Sequence, residues 1–202
     1  MMEQPALDRP AGQVIGTPSV AFDWRHSLWL GLLVGASMIF SLGLACAVPL
    51  AAFAAAAALS LSRRDALLLV VLVWLVNQLV GFIFLDYPWT ATAFAWGAVL
   101  GIVAIIATLA GQWMAKRFAD TVRSVRFVAT FLVAFAAYEV ALFAISAALL
   151  GGTEIYTAAI QGRIFAINAT AFAGLLALNH LAASVGLATA PAITLAMTER
   201  HA

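Results

Sequence analysis

Charged residues are scarce in this chain. Only 9% of its residues are Asp, Glu, Lys or Arg, against roughly a quarter in soluble domains, and 65% are hydrophobic. The mean hydropathy of +1.05 is that of an integral membrane protein. Membrane helices would use nearly all of the 202 residues, which leaves no room among them for a nucleotide-binding domain. We therefore expect any energy source to be a gradient, a bound substrate or another subunit.

Cysteine and catalytic motifs are scarce as well. The single cysteine, Cys46, excludes an intrachain disulfide and a cysteine-based zinc cluster. The sequence contains no HExxH motif, paired acidic motif or glycine-rich phosphate loop, and no serine in a nucleophile-like setting. His180 has no second histidine in the predicted spans with which to hold a metal or haem. We therefore expect no enzyme activity, no catalytic residue, no metal and no cofactor.

The sequence does contain long uncharged stretches separated by short polar connections. They predict an all-α integral membrane protein, a bundle of six transmembrane helices. A flexible tail at 1–26 precedes the transmembrane domain at 27–188, and a second tail follows at 189–202. The third to sixth spans are predicted at residues 66–85, 91–115, 127–150 and 164–188, and the longest connection at 153–163.

Residues 27–61 are uncharged and admit two interpretations. One straight helix of this length would be about 52 Å long, against a hydrocarbon core of about 30 Å. Gly43 and Pro49 offer a break, which favours two short helices. The alternative is one long helix kinked at Pro49, because proline is tolerated inside membrane helices.

Basic residues predict the orientation. With six spans, nine of the ten Lys and Arg side chains fall on one side of the membrane and only Arg163 falls on the other. The positive-inside rule then places both termini in the cytoplasm, with the bacterial inner membrane as the predicted location. Five spans would move Arg9 and Arg25 outside and weaken this bias.

The stretch from Trp74 to Gly101 is predicted to be a membrane hairpin that turns at residues 86–90. Asn77 and Gln78 lie within its apolar first arm. Because amides are costly in hydrocarbon unless they face protein or water, the pair marks the inside of a bundle. Gly97 and Gly101 belong to a stripe of small residues in the second arm, which is typical of close helix packing.

Glu139 is the carboxylate predicted to lie deepest in a span. A lone carboxyl group in hydrocarbon usually binds a proton instead of staying charged. Three roles are open: a proton or cation site, a ligand contact, or a structural carboxylic acid that joins two helices.

Aromatic residues gather near the turn of the hairpin. Tyrosine and tryptophan at this level usually anchor the protein at the membrane interface. The alternative is an externally open pocket that also uses polar groups from other spans. The candidate ligand-site residues are Trp96, Asn168, Tyr87, Trp89, Asn77, Gln78 and Glu139.

The chain resembles the S components, the substrate-binding membrane subunits of energy-coupling-factor vitamin transporters. The resemblance lies in its length, its six predicted spans with cytoplasmic termini, the Gly31 and Gly35 pair low in the first span, and the long third outer connection. It implies that Gly31 and Gly35 dock on a coupling transmembrane subunit, and that a small ligand binds near the outer face.

These observations predict a vitamin-like small-solute binding or transport subunit in the lipid bilayer, without its own ATPase. The alternative is a non-transporting accessory or assembly subunit of a larger membrane complex, whose small-residue faces contact that complex. Neither function calls for a nucleic acid as partner.

Overall fold

Six α-helices make up most of the chain. The computed structural model describes residues 24–43 and 48–185, and within these ranges it contains no strand. The helices are α1 (Trp24–Gly43), α2 (Leu50–Ser60), α3 (Arg63–Phe84), α4 (Ala91–Arg117), α5 (Arg123–Ile145) and α6 (Ala158–Ser184). A π-helical turn, Ser146–Leu150, extends α5, and a 3-10 turn, Thr153–Ile155, precedes α6. The prediction of an all-α chain is confirmed.

Four of these helices, α3 to α6, are long and apolar enough to cross a membrane. In α1 the apolar stretch is shorter, Ser27–Met38, and α2 has only 11 residues. A helix of that length is about 16 Å long, roughly half of the hydrocarbon thickness. These four helices fit the predicted membrane protein, whereas six complete spans and their orientation stay predictions.

The region 27–61 forms two helices, as the favoured interpretation predicted. Pro49 immediately precedes α2, where the missing amide hydrogen of proline costs nothing. Cys46, most of the predicted first tail and the whole of the second tail lie outside the described residues.

The short helix α2 lies at the centre of the bundle. Eight of its eleven residues are buried, and α3, α4, α5 and α6 all pack against it. Its sequence is mostly alanine, so small side chains on every face let the surrounding helices approach closely. Phe53 is the largest fully buried side chain among the described residues.

The small-residue stripe of α4 packs inside the chain. Near one end, a Cβ atom added at Gly111 would lie 3.2 Å from Ala58 of α2 and 3.4 Å from Ala134 of α5. Ala104 and Thr108 of the same stripe are fully buried. The prediction that this stripe packs against other helices is confirmed for these residues.

Hydroxyl side chains begin three of the helices. The Ser62 hydroxyl accepts a hydrogen bond from the Asp65 amide at 3.3 Å and caps α3. Thr90 caps α4 in the same way. The Thr157 hydroxyl accepts a hydrogen bond from the Ile160 amide at 3.3 Å and caps α6. The helix therefore begins six residues before the predicted start of the last span. The connection before it is shorter than the predicted loop at 153–163.

Two glycines follow the π-helical turn that extends α5. Gly151 has φ of +71° and Gly152 has φ of +84°, a conformation that side chains with a Cβ rarely adopt. The pair lets the chain leave α5 and enter α6 within seven residues, 151–157.

Candidate functional site

A tight turn joins α3 to α4 and positions the site. Asp86 has φ of +53°, a left-handed conformation that Asp tolerates better than most residues. The Tyr87 amide donates a hydrogen bond to the Gly81 carbonyl at 3.1 Å. The Tyr87 ring covers Gly81 so closely that a Cβ there would lie 2.6 Å from it. The turn is therefore folded back onto the last part of α3.

Three aromatic rings beside this turn form what we call the aromatic cluster: Phe82, Trp89 and Phe94. Phe82 and Phe94 stack with their centroids 4.8 Å apart and their planes at 17°. Trp89 lies 5.4 Å from Phe82 and 5.9 Å from Phe94. Such pairs contribute beyond the burial of their surface. The cluster fixes α3 and α4 relative to each other at the turn, although the Trp89 side chain is 74% exposed.

Further from the turn, two large side chains of α3 lie over two glycines of α4. The Trp74 indole nitrogen donates to the Gly97 carbonyl at 2.7 Å. A Cβ at Gly101 would lie 2.9 Å from the same indole, and one at Gly97 would lie 2.6 Å from Oε1 of Gln78. Both glycines thus provide the space that Trp74 and Gln78 occupy.

A cavity of about 420 Å³ runs between α3 and α4, from Trp74 to the aromatic cluster. Small-molecule sites have volumes of roughly 300 to 1,000 Å³. We call it the α3–α4 cavity. It is lined by Trp74, Gln78, Leu79, Phe82, Ile83, Trp89, Phe94, Gly97 and Ala98. None of these nine side chains is charged.

Three lining side chains carry polar groups: Trp74, Gln78 and Trp89. The indole of Trp74 is already bonded to the Gly97 carbonyl. The carboxamide of Gln78 makes no hydrogen bond with any residue in the described part of the chain. A carboxamide offers one acceptor oxygen and two donor hydrogens, whereas an indole offers one donor, so Gln78 is the lining side chain that can both donate to a ligand and accept from it.

The structure brings together two of the seven predicted site residues, Gln78 and Trp89. Tyr87 lies next to them on the turn, whereas Asn77 is half-buried and does not line the cavity. Trp96 is half-buried on α4 and lies about 4.0 Å from the position of a Cβ at Gly152, near the α5–α6 connection.

Asn168 lies in the bundle and contacts α2. Its Oδ1 accepts from the Ala52 amide at 3.1 Å, and its Nδ2 donates to the Ile164 carbonyl at 3.0 Å. The residue is only 4% exposed. Asn168 lies ten residues after the start of α6, about 15 Å along that helix. Because Asn168 contacts the first turn of α2, α2 begins inside the bundle, and its cap comes from another helix.

Glu139 has both carboxyl oxygens buried, and neither has a hydrogen-bond partner among the described residues. It lies in the second half of α5, and its depth in a span stays a prediction. The residue does not line the α3–α4 cavity. Within the described ranges, no group of three or more His, Cys, Asp and Glu side chains could hold a metal ion.

Gly31 and Gly35 lie on an open part of α1. A Cβ added at either position would have no neighbouring atom within 4 Å. The opposite face of α1 is packed, with Trp29 and Leu33 buried in the core. Unlike Gly97 and Gly101, these two glycines therefore have no packing partner in the described part of the chain.

Trp74, Phe82 and Phe94 were not among the predicted site residues. One signal was available, because Trp74, Gln78 and Phe82 follow one another at four-residue steps and so share one face of α3. The sequence contained no such indication for Phe94 and Gly97, because their position in the cavity depends on how the turn orients α4 relative to α3.

No protein family, curated protein sequence or solved structure matches this chain. Function must therefore be argued from the α3–α4 cavity and its surroundings.

Proposed function

We propose that this chain is a small-solute binding subunit of the bacterial inner membrane, similar to an S component and without its own ATPase. The observation that carries the proposal is the α3–α4 cavity, which combines a ligand-sized volume with aromatic walls and one unpaired carboxamide. Ligand sites are mostly apolar, with a few polar groups that set orientation.

The turn supports this proposal because it makes the cavity wall rigid. Gly81 and Tyr87 hold the turn closed, and the stacked pair Phe82 and Phe94 braces both helices. A preformed site does not have to order its walls when a ligand binds, so less binding free energy is lost.

The proposed topology has six spans with both termini in the cytoplasm. It rests on the nine-to-one distribution of basic residues and on the separation of α1 from α2. In this orientation the turn at 86–90 faces the outside, and the cavity lies in the outer half of the bilayer.

Docking on a coupling transmembrane subunit is the second part of the proposal. Its support is the open face of α1 at Gly31 and Gly35, where a partner helix could approach closely. The same face would serve the alternative function, an accessory subunit of a larger membrane complex, if no small ligand binds.

The test is a thermal-shift screen of the purified chain with a panel of vitamins and metal chelates. A ligand at a hundredfold excess over its dissociation constant should stabilise the protein by about 2.7 kcal/mol. Trp89→Ala should remove most of this gain and change unliganded stability little, because the side chain is mostly exposed. Trp113→Ala is the matched control, since Trp113 is 63% exposed on α4 and does not line the cavity.

Two results would redirect the proposal. A hit that Trp89→Ala does not weaken would retain ligand binding but reject the α3–α4 cavity. No hit, together with a stable partner complex that Gly31→Leu with Gly35→Leu abolishes, would favour the accessory subunit.

A further inference from the structure

We propose that the α3–α4 cavity selects uncharged, planar ring compounds whose edge carries a hydrogen-bond donor beside an acceptor, as in a cyclic amide or imide. The Gln78 carboxamide would form hydrogen bonds with that edge, and Gly97 would set the position of the carboxamide. This inference rests on the proposed function and names its ligand class.

The absence of charge in the lining argues for a neutral ligand. A charged compound would lose its hydration on entering the cavity and would find no counter-ion among the nine lining residues. A buried charge without a partner is strongly unfavourable.

The walls argue for a flat ring. The Trp74 indole borders one end of the cavity, and the aromatic cluster borders the other. Aromatic faces and edges favour stacked or edge-to-face contact with a further ring.

Gln78 argues for the paired edge. A carboxamide presents its acceptor oxygen and a donor hydrogen side by side, which matches the N–H and C=O of a cyclic amide in two parallel hydrogen bonds. The Trp74 N–H does not compete, because Gly97 already accepts its hydrogen bond. A ligand without this edge would cover the carboxamide and leave it unpaired, at a cost equivalent to roughly 5- to 150-fold in affinity.

Gly97 acts through Gln78. A Cβ at Gly97 would lie 2.6 Å from Oε1 of Gln78, so alanine there must displace the carboxamide while keeping the carbonyl that Trp74 uses. The displaced group is the flexible end of a side chain, and the helix pair should tolerate the change. We therefore assign Gly97 as a positioning residue.

A lipid acyl chain is the competing occupant. Leu79 and Ile83 line the cavity and are exposed, so the cavity is open toward the surroundings of the bundle. An acyl chain does not use a carboxamide, and its binding would not suffer from an apolar residue at position 78.

The experiment measures dissociation constants by calorimetry and tryptophan fluorescence on the full chain in nanodiscs of phosphatidylcholine. The probes are 2-quinolone, N-methyl-2-quinolone, naphthalene and 2-naphthoate. We expect 2-quinolone to bind about 5- to 150-fold more tightly than its N-methyl derivative, and 2-naphthoate to bind more weakly than naphthalene.

Three variants locate the effect. Gln78→Leu should reduce the preference for 2-quinolone over its N-methyl derivative to about one, and Gln78→Met serves if the leucine variant does not fold. Gly97→Ala should reduce the same preference and leave naphthalene affinity little changed. Gly174→Ala is the matched control, because a Cβ there meets nothing within 4 Å, and the preference should be retained.

Equal affinity of the parent for 2-quinolone and its N-methyl derivative would overturn the inference. Tighter naphthalene binding by Gln78→Leu, without loss for 2-quinolone, would identify an acyl-chain groove instead. If none of the four probes binds, but a compound from the vitamin panel binds and Trp89→Ala weakens that binding, only the proposed ligand class would be wrong. Failure of the probes and of the panel would overturn the proposed function as well.

Discussion

Replacing Asn168 by alanine tests the assignment of this residue to α2. The substitution removes the oxygen that accepts from the Ala52 amide at 3.1 Å, in a part of the bundle where Ala52 is fully buried. A buried amide without a partner costs about 1 to 3 kcal/mol, and removal of a helix cap typically costs about 1 kcal/mol. We therefore expect a loss of about 2 kcal/mol, or roughly 30-fold in the unfolding equilibrium.

Two measurements check this expectation. Unfolding in detergent micelles, followed by circular dichroism, gives the change in stability. Hydrogen exchange at the start of α2 should show faster exchange of the Ala52 amide, a local effect that general destabilisation would not produce. Asn179→Ala is the control on the same helix, because Asn179 is only half-buried and makes no side-chain hydrogen bond among the described residues.

The reasoning would be refuted if Asn168→Ala unfolded like the parent and left the exchange at Ala52 unchanged. Equal destabilisation by Asn179→Ala would also refute it, since the loss would then reflect truncation of any amide on α6. A role of Asn168 in the ligand site would appear as weaker ligand binding by a variant that keeps parental stability.

Two further predictions concern topology and the buried carboxyl group. In a cysteine-free background, Asp120→Cys and Glu154→Cys should be labelled from opposite sides of the membrane, and labelling of both from outside would contradict the proposed orientation. Glu139→Gln should fold like the parent, whereas Glu139→Lys should impair membrane insertion by about 3 kcal/mol. If both variants expressed and melted like the parent, Glu139 would face water or headgroups, and the predicted boundaries of its span would be wrong.

Local chemistry was readable from the sequence. The ends of α3 and α4 lie within three residues of their predicted positions, because capping residues and the turn at 86–90 act over short distances. The predicted start of the last span lies too late in the chain, because the prediction rested on hydropathy and did not use Thr157 as a helix cap.

Contacts between segments that are distant in the chain could not be predicted from the sequence. The alanines of α2 give no hydrophobic face, so nothing in the pattern indicated that four helices surround it. Asn168 was predicted as a ligand-site residue, and nothing in the sequence pattern indicated that its side chain accepts from the Ala52 amide, 116 positions away. The α3–α4 cavity depends on the register of two helices, and that register is set by the backbone of Asp86 and by the space at Gly97.

The cap that Asn168 provides for α2 also bears on how the chain is made. The two residues of this hydrogen bond are 116 positions apart, and at synthesis rates of about 5 to 20 residues per second the ribosome needs several seconds to travel between them. During that interval the Ala52 amide, near the start of an 11-residue helix, lacks its final partner. A residue of α6 therefore completes the start of α2, so insertion can proceed helix by helix while the centre of the bundle closes only after synthesis has reached α6.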